Sequence, residues 1–207
     1  MSLSGRRAER LGILGGTFDP PHAGHIAAAV TCRDQLDLDR VLFVVANDPW
    51  QKSPVRAVSP AEDRLAMVRA LVADTPGLEV SRIELDRGGP SYTIETVESL
   101  AEEARKRPAP SPELFLIVGA DVVETLPTWH RADELAGLVT VAVVGRPGVP
   151  IPRAVPGWRF EAVGGSGIDV SSSMVRSLVA GGRSIEGLVP DAVGRCIWLR
   201  GLYAVPR

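Results

Sequence analysis

The sequence predicts an α/β fold built on a doubly wound parallel sheet, with helices on both faces and a helical segment at the C-terminal end. Short apolar runs alternate with helical patterns along the chain. The runs are almost continuously apolar, as in strands that are buried on both faces. Glycine-containing polar loops follow several of the runs, and ligands bind there in Rossmann-like sheets. We therefore expect the functional residues in those loops.

Six apolar runs are predicted to be strands, with helical patterns between them. The strands cover residues 11–14, 41–45, 78–83, 114–118, 139–144 and 159–163. The helices cover residues 26–35, 61–73, 94–105 and 132–136, followed by C-terminal helices. The second helix has the clearest start, with Ser59 as N-cap, Pro60 at the first helical position and Glu62 completing a capping box. The Pro- and Gly-rich residues 145–157 are expected to form a surface loop.

Length and charge limit the class of protein. The 207 residues predict one domain, 1–207, with residues 1–10 as a flexible leader. A formal net charge of −2 gives no basic field, which disfavours nucleic acid as a partner. No apolar run has the length of a signal peptide or membrane span, so we expect a cytoplasmic protein without a membrane partner. Cys32 and Cys196 lack motif spacing and are expected to be free thiols.

His22 and His25 form the most informative motif. They stand three residues apart where the first strand and its glycine turn meet a helix, so both side chains can reach one ligand. The first helical turn presents amide N–H groups and the positive end of the helix dipole, which favour a bound phosphate. Gly24 between them is interpreted as allowing close approach of a phosphate to the backbone. A capping role or a zinc site are the alternatives, but His130, the remaining histidine, is distant and a third ligand is not obvious.

A second motif begins at Asp169 and ends at Arg176. Its serine cluster is typical of a helix N-cap. Ser173 and Arg176 lie three apart in the first turn, where a hydroxyl and a guanidinium together would suit a triphosphate. We keep both interpretations open.

Three loops at other strand ends complete the candidate site. Lys52 follows the second strand and is either a solvated lysine or a phosphate ligand. Asp121 follows Gly119 after the fourth strand and is either a helix N-cap or part of a nucleoside pocket. Residues 87–93 are of types that form turns and lead into a helix. Trp129 lies in a loop, where it could stack on a heterocycle or belong to the core.

Together these residues resemble the bacterial nicotinate-mononucleotide adenylyltransferases, in the nucleotidyltransferase superfamily with the His-x-Gly-His signature. Residues 15–25 are similar to the motif Gly-Gly-x-Phe-Asp-Pro-x-His-x-Gly-His, and residues 170–176 to Ile-Ser-Ser-Ser/Thr-x-x-Arg, with Val170 in place of Ile. The resemblance extends from Gly12 to about Tyr203. Pantetheine-phosphate adenylyltransferases and some cytidylyltransferases share both motifs, so these imply the reaction and not the acceptor. The acceptor is implied by residues 89–93 and by Trp129.

The resemblance implies a role for each candidate residue. The catalytic residues are His22, His25, Lys52 and Arg176. The ATP-binding residues are Gly15, Gly16, Thr17, Phe18, His22, His25, Gly119, Asp121, Ser172, Ser173 and Arg176. The acceptor-binding residues are Asp19, Lys52, Ser91, Tyr92, Thr93 and Trp129. The chain departs from many relatives in the second-strand loop, where Trp50 and Gln51 stand in place of a Pro-His pair before the lysine.

The implied activity is transfer of the adenylyl group of ATP to nicotinate mononucleotide in NAD biosynthesis, giving nicotinate adenine dinucleotide and pyrophosphate. The alternatives are another acceptor, nicotinamide mononucleotide or pantetheine phosphate, or a nucleotide-binding module without catalysis. The sequence has no acidic cluster for a metal cage, so Mg²⁺ is expected to arrive on the substrate phosphates, with no protein metal site. The sequence is compatible with a homo-oligomer.

Overall fold

One parallel sheet forms the centre of the computed structural model, which describes residues 7–49, 57–145, 155–165 and 167–204. Its strands are β1 (Arg10–Gly16), β2 (Arg40–Val45), β3 (Leu78–Ser81), β4 (Glu113–Gly119), β5 (Thr140–Val144) and β6 (Arg159–Val163). Their order is β3-β2-β1-β4-β5-β6, and every pair is parallel. The strand β1 pairs with both β2 and β4, so the winding direction reverses between β1 and β4. The predicted Rossmann-like fold is confirmed.

Helices cover both faces of the sheet. They are α1 (Ala23–Gln35), α2 (Ala61–Val72), α3 (Ile83–Arg87), α4 (Thr93–Arg105), a 3-10 helix (Ala120–Thr128), α5 (Ala132–Leu138), α6 (Ser172–Ala180) and α7 (Asp191–Leu199). Residues of α1, α2, α6 and α7 form one apolar core against one face. Residues of α4, α5 and the 3-10 helix form a second core on the other face. The near-continuous apolar strands of the sequence therefore face apolar side chains on both sides.

Two details of the predicted elements are wrong. The third strand ends at Ser81, because the Ser81 hydroxyl accepts the N–H of Ile83 at 3.2 Å and turns the chain into the short helix α3. The predicted capping box at α2 does not form. Pro60 is the N-cap and has no capping side chain, and the Glu62 carboxylate pairs with Arg82 instead of turning back to the helix start.

The start of β1 and the two cysteines can be compared with the sequence predictions. The predicted leader overlaps the sheet by one residue, since Arg10 begins β1 and its guanidinium contacts Glu113 at 2.6 Å. Cys32 is buried and Cys196 half-buried, both as free thiols, and burial raises the pKa of Cys32 to about 12. Of the helices among the described residues, none is long and apolar enough to cross a membrane.

Candidate active site

A cavity of about 550 Å³ opens beyond the carboxyl ends of β1 and β4, where the winding direction reverses. This is the position that the topology of a doubly wound sheet assigns to a ligand. Every predicted site residue that the structure describes lines the cavity: Gly15, Gly16, Thr17, Phe18, Asp19, His22, His25, Ser91, Tyr92, Thr93, Gly119, Asp121, Trp129, Ser172, Ser173 and Arg176. Lys52, Trp50 and Gln51 lie outside the described residues.

The two histidines lie side by side at the start of α1. Their ring centroids are 3.7 Å apart, with 33° between the ring planes. His22 is the N-cap, and its backbone N–H donates to Nδ1 of His25 at 3.1 Å, as it would to the glutamate of a capping box. This hydrogen bond requires an Nδ1 without a proton, so the network assigns the neutral His25 ring its proton on Nε2. In this tautomer Nε2 carries the N–H donor of the ring.

Phe18 supports this pair from below. It has a φ of 50° and its side chain is only 2% exposed. Its ring makes a T-shaped contact with the ring of His25 at a centroid distance of 5.1 Å and also packs on Phe43. We interpret Phe18 as a buried support for the imidazole, with its backbone at the cavity wall.

The glycines of the motif have different reasons for being glycine. A Cβ on Gly15 would meet nothing within 4 Å, so the missing side chain leaves space in the cavity itself. A Cβ on Gly24 would lie 3.2 Å from Nδ1 of His22 and 3.3 Å from Val170. Packing of the His22 ring and Val170 is therefore a further reason for glycine at position 24, and phosphate approach to its backbone stays a prediction.

The helix termini at the cavity are partly engaged within the protein. The first amide of α1, at Ala23, donates to the carbonyl of Leu188 at 2.9 Å and is not available to a ligand in this structure. At α6 the predicted cap is confirmed, with Ser171 Oγ accepting from Met174 N at 3.2 Å. The anion-binding contribution of the α1 terminus is therefore smaller than its sequence position indicates.

The segment Asp19-Pro20 joins the two predicted phosphate motifs, which are about 150 positions apart in sequence. Arg176 Nη1 donates to the backbone oxygen of Asp19 at 2.7 Å, and its Nη2 donates to Ser173 Oγ at 3.1 Å. Ser172 Oγ donates to the oxygen of Pro20 at 2.8 Å. The Asp19 side chain, buried at 1% exposure, accepts from the hydroxyl of Tyr203 at 2.7 Å. These bonds hold the guanidinium of Arg176 next to the histidine loop.

The loops predicted to bind the acceptor are held together on the opposite wall. The backbone N–H of Asn47 donates to Ser91 Oγ at 2.8 Å, and its side-chain amide donates to the oxygen of Gly89 at 2.9 Å. The ring of Tyr92 lies on His130, with centroids 4.3 Å apart. Trp129 donates from Nε1 to Thr125 Oγ1 at 3.2 Å. Three aromatic rings therefore form one side of the cavity, which suits a flat heterocycle.

Asp121 does not cap the 3-10 helix. The N-cap is Gly119, at the end of β4, and Asp121 is an exposed residue of the first turn that lines the cavity. The capping alternative for Asp121 is wrong, and its part in a nucleoside pocket stays a prediction.

Several residues at or behind the site have no motif in the sequence. His130 and Glu84 line the cavity. Tyr203 and the buried Arg64 lie behind the loops and hold them by hydrogen bonds. Arg64 lies in an ordinary helical pattern, and Tyr203 comes from the end of the chain, so only their contacts reveal their importance.

A second cavity, of about 500 Å³, lies on the outer side of Tyr92 and has a different character. Its lining includes Glu95, Glu98 and Glu102, which would repel a polyphosphate. Arg87 at its edge pairs with Glu95 at 3.1 Å. We therefore take the cavity beside β1 and β4 as the candidate active site. No group of three or more His, Cys, Asp or Glu side chains suited to a metal occurs in the part of the chain that the structure describes.

Comparison with known proteins identifies the family and agrees with the fold. A family model described as cytidylyltransferase-like matches residues 13–178, which places the chain in this class of nucleotidyltransferases. A probable nicotinate-nucleotide adenylyltransferase of Acidothermus cellulolyticus is 40% identical and aligns over 97% of both chains. The one of Thermus thermophilus is 43% identical over 94% of this chain and 99% of its own. The chain belongs to the nicotinate-nucleotide adenylyltransferase family.

Solved structures support the fold over longer evolutionary distances. The nicotinic acid mononucleotide adenylyltransferase of Plasmodium falciparum, complexed with NaAD, superposes with a TM-score of 0.79 at 13% identity, covering 94% of this chain and 97% of that one. A putative nicotinate-nucleotide adenylyltransferase of Vibrio parahaemolyticus gives 0.68 at 17% identity, covering 96% and 97%. At these identities the likeness concerns the arrangement of the chain.

Proposed function

We propose that this protein transfers the adenylyl group of ATP to nicotinate mononucleotide, releasing pyrophosphate and forming nicotinate adenine dinucleotide for NAD biosynthesis. The observation that carries the proposal is the convergence of both phosphate motifs and the aromatic acceptor loops on one cavity at the β1–β4 switch point. Relatives of about 40% identity over nearly the whole chain, named for this activity, support it. ATP and nicotinate mononucleotide are its proposed substrates, and their use in metabolism suits a cytoplasmic protein.

The chemistry requires alignment and charge stabilisation more than proton transfer. A phosphate oxygen of nicotinate mononucleotide attacks the α-phosphorus of ATP, and the bond from that phosphorus to the β-bridging oxygen breaks. A phosphomonoester has its second pKa near 6, so the nucleophile is largely ionised at neutral pH. A general base is therefore not needed.

The protein's part is to hold two anions together and to meet the charge on the leaving group. His25 offers an N–H donor from Nε2, and Arg176 offers a fixed guanidinium beside it. His22 lies 4% exposed against the His25 ring and completes the donor pair. We propose Lys52 as a further phosphate ligand, from its place in the loop that follows β2. Preorganised donors of this kind align the two substrates and stabilise the negative charge that develops on the transferred and leaving phosphates.

We propose that Mg²⁺ accompanies ATP and is held through the substrate phosphates. Of the described residues that line the cavity, Asp19 is bonded to Tyr203 and Glu84 accepts from Thr96 at 2.7 Å, while Asp121 is exposed at the mouth. This donor set fits an ion that keeps most of its waters and takes its other ligands from phosphates. When bound, the ion neutralises charge on the β- and γ-phosphates.

The acceptor assignment rests on the wall formed by Tyr92, His130 and Trp129. An aromatic ring on that wall can lie flat against Trp129, whose indole is held by Thr125. Asn47 fixes the loop 89–93, in which the amide of Ser91 already donates to the oxygen of Asp48 at 3.1 Å. We propose that the amides of Tyr92 and Thr93 meet a carboxylate on the ring. We therefore expect nicotinate mononucleotide to be used better than the nicotinamide form.

An acceptor panel tests the proposal. The protein is incubated with ATP, Mg²⁺ and, in parallel, nicotinate mononucleotide, nicotinamide mononucleotide or pantetheine phosphate, and pyrophosphate release is measured. We expect the highest kcat/KM with nicotinate mononucleotide. Equal efficiency with both pyridine nucleotides would refute the selectivity, and ATP binding without pyrophosphate release from any acceptor would favour a non-catalytic module.

A further inference from the structure

A buried arginine behind the active site connects the loops that line its two walls. Arg64, on α2, is 1% exposed and is among the largest fully buried side chains of the described residues. Burial of a guanidinium is costly unless its N–H groups are used, so this position calls for a reason. The reason lies in the ends of β1 and β2.

The backbone ladder between β1 and β2 stops just before the active-site loops. Its last contact is the N–H of Ala46, which donates to the oxygen of Gly16 at 2.9 Å. Beyond this hydrogen bond the segments that follow β1 and β2 separate, although Thr17 and Ala46 are still buried, at 7% and 8% exposure. Buried carbonyl groups beyond the end of a ladder need donors from elsewhere.

Arg64 supplies those donors. Its Nη1 donates to the oxygens of Thr17 at 2.9 Å and Ala46 at 2.6 Å. Its Nη2 donates to the oxygen of Asn47 at 3.0 Å, and its Nε to the oxygen of Ser59 at 2.8 Å. The guanidinium therefore replaces the missing ladder and joins the loop after β1 to both described ends of the loop after β2.

The connection continues to the opposite wall of the cavity. Asn47, whose carbonyl Arg64 holds, donates from its backbone to Ser91 and from its side chain to Gly89. A single path thus runs from Thr17, through Arg64 and Asn47, to Ser91. The first of these residues lies in the proposed ATP loop and the last in the proposed acceptor loop.

We propose that Arg64 is a positioning residue that sets the distance between the ATP half-site and the acceptor half-site. This inference rests on the proposed function, because it assumes that the two walls bind the two substrates. The reaction joins two phosphates in line, so an error in this spacing lowers the rate even when each substrate still binds. Arg64 itself touches no reacting atom.

The geometry of the side chain explains why arginine is required. Four acceptors are distributed over three nitrogens of one rigid plane. A lysine keeps the charge but offers its three donors from one atom, which cannot span the same carbonyls. The variant Arg64→Lys therefore separates the spacing role from the effect of a buried positive charge.

The test compares Arg64→Lys and Arg64→Met with Arg69→Met, a control for an exposed arginine on the same helix. Binding of ATP, nicotinate mononucleotide and nicotinate adenine dinucleotide is measured separately, together with kcat on protein shown to be folded by thermal melting. For Arg64→Lys we expect kcat to fall about 10²-fold and the Kd of the dinucleotide, which spans both half-sites, to rise about tenfold. Each substrate alone should change less than about threefold.

Other outcomes are equally informative. Should the Arg64 variants fail to fold, Asn47→Ala, which removes only the side-chain link to Gly89, is expected to show the same pattern at smaller size. Unchanged kcat and dinucleotide affinity in a folded variant would overturn the positioning role, as would an equal loss for all three ligands. Wild-type protein is assayed first: absence of its turnover with nicotinate mononucleotide refutes the proposed function, whereas normal wild-type turnover with an unaffected variant refutes only the role of Arg64.

Discussion

The hydrogen bond between Tyr203 and Asp19 offers the most direct test of how the end of the chain supports the active site. The hydroxyl of Tyr203 donates to Oδ1 of Asp19 at 2.7 Å, and Asp19 is 1% exposed. Burial, together with the neighbouring Asp19, raises the pKa of the Tyr203 hydroxyl well above its ordinary value, so it keeps its proton and remains a donor at neutral pH. The variant Tyr203→Phe removes this donor and keeps the ring.

The size of the effect follows from the burial of the acceptor. Removing one partner of a buried hydrogen bond costs about 1–3 kcal/mol, because water cannot replace it. For a chain of this length each kcal/mol lowers Tm by about 2–4 °C, so we expect a decrease of about 2–12 °C. Because Asp19 also gives its backbone oxygen to Arg176, we expect kcat to fall as well.

Thermal and urea unfolding measure the change, and a double-mutant cycle with Asp19→Ala, which removes the acceptor, assigns it to this pair. Trp198→Phe serves as the control, since Trp198 is an exposed aromatic residue on α7, and its replacement should change stability by less than about 0.5 kcal/mol. A coupling energy between Tyr203 and Asp19 below about 0.5 kcal/mol would show that this hydrogen bond does not stabilise the fold.

Five further variants test the site and the core. Gly15→Ala should leave Tm unchanged or slightly higher, because the added methyl group contacts no protein atom, and it should raise KM for ATP, because the methyl group projects into the cavity. Gly24→Ala should lower kcat, because its methyl group displaces the neighbouring imidazole of His22. His25→Ala should lower kcat by about 10²–10³ with the fold intact, the scale for one preorganised donor. Trp129→Ala should raise KM for the acceptor by a factor that corresponds to a loss of about 1–3 kcal/mol of binding free energy. The KM for ATP should stay unchanged when both are measured from initial rates. Burial raises the pKa of Cys32 to about 12, so between about pH 9 and 12 its thiol ionises only in the unfolded state. The free energy of unfolding of the wild type should therefore fall in this range by up to about 1.4 kcal/mol per pH unit. The variant Cys32→Ala should lack this decrease.

Each of these has a result that contradicts it. An unchanged KM for ATP in Gly15→Ala would mean that ATP does not approach this glycine, and a wild-type kcat in Gly24→Ala would mean that the His22 ring can move freely. Near wild-type turnover in His25→Ala would remove its proposed donor role. Equal effects of Trp129→Ala on both KM values would argue against acceptor stacking. Parallel pH profiles of urea unfolding for wild type and Cys32→Ala would show that the buried thiol does not control alkaline stability.

Local patterns in the sequence were sufficient for the sheet and for the position of the site. Near-continuous apolar runs reflect burial on both faces, and the carboxyl ends of parallel strands meet at one edge, so the loops after β1 and β4 had to converge. The strand order placed the loops of His22, His25 and Asp121 at one cavity, as the structure confirms, whereas Arg176 was assigned to the site by its own motif. Short motifs carry this information because the residues of a helix start act within one turn.

Local patterns failed where a distant residue competes for the same group. The capping box at Glu62 is lost because Arg82, 20 positions away, pairs with its carboxylate. The amide of Ala23 is occupied by the carbonyl of Leu188, which no pattern near α1 could indicate. Gly24 also has a distant neighbour, since a Cβ there would lie 3.3 Å from Val170.

Short stretches of sequence therefore predict the reaction class and the edge of the sheet where the site lies, because their residues interact within a helical turn or across neighbouring strand ends. Short stretches do not predict the proposed spacing between the two half-sites, because it depends on Arg64, whose backbone partners lie 5 to 47 positions away in the chain. Nor do they predict the support of Asp19 by Tyr203, which lies 184 positions away. Such long-range hydrogen bonds exist only once the chain has folded and water has been excluded from the carbonyl and carboxyl groups that they satisfy.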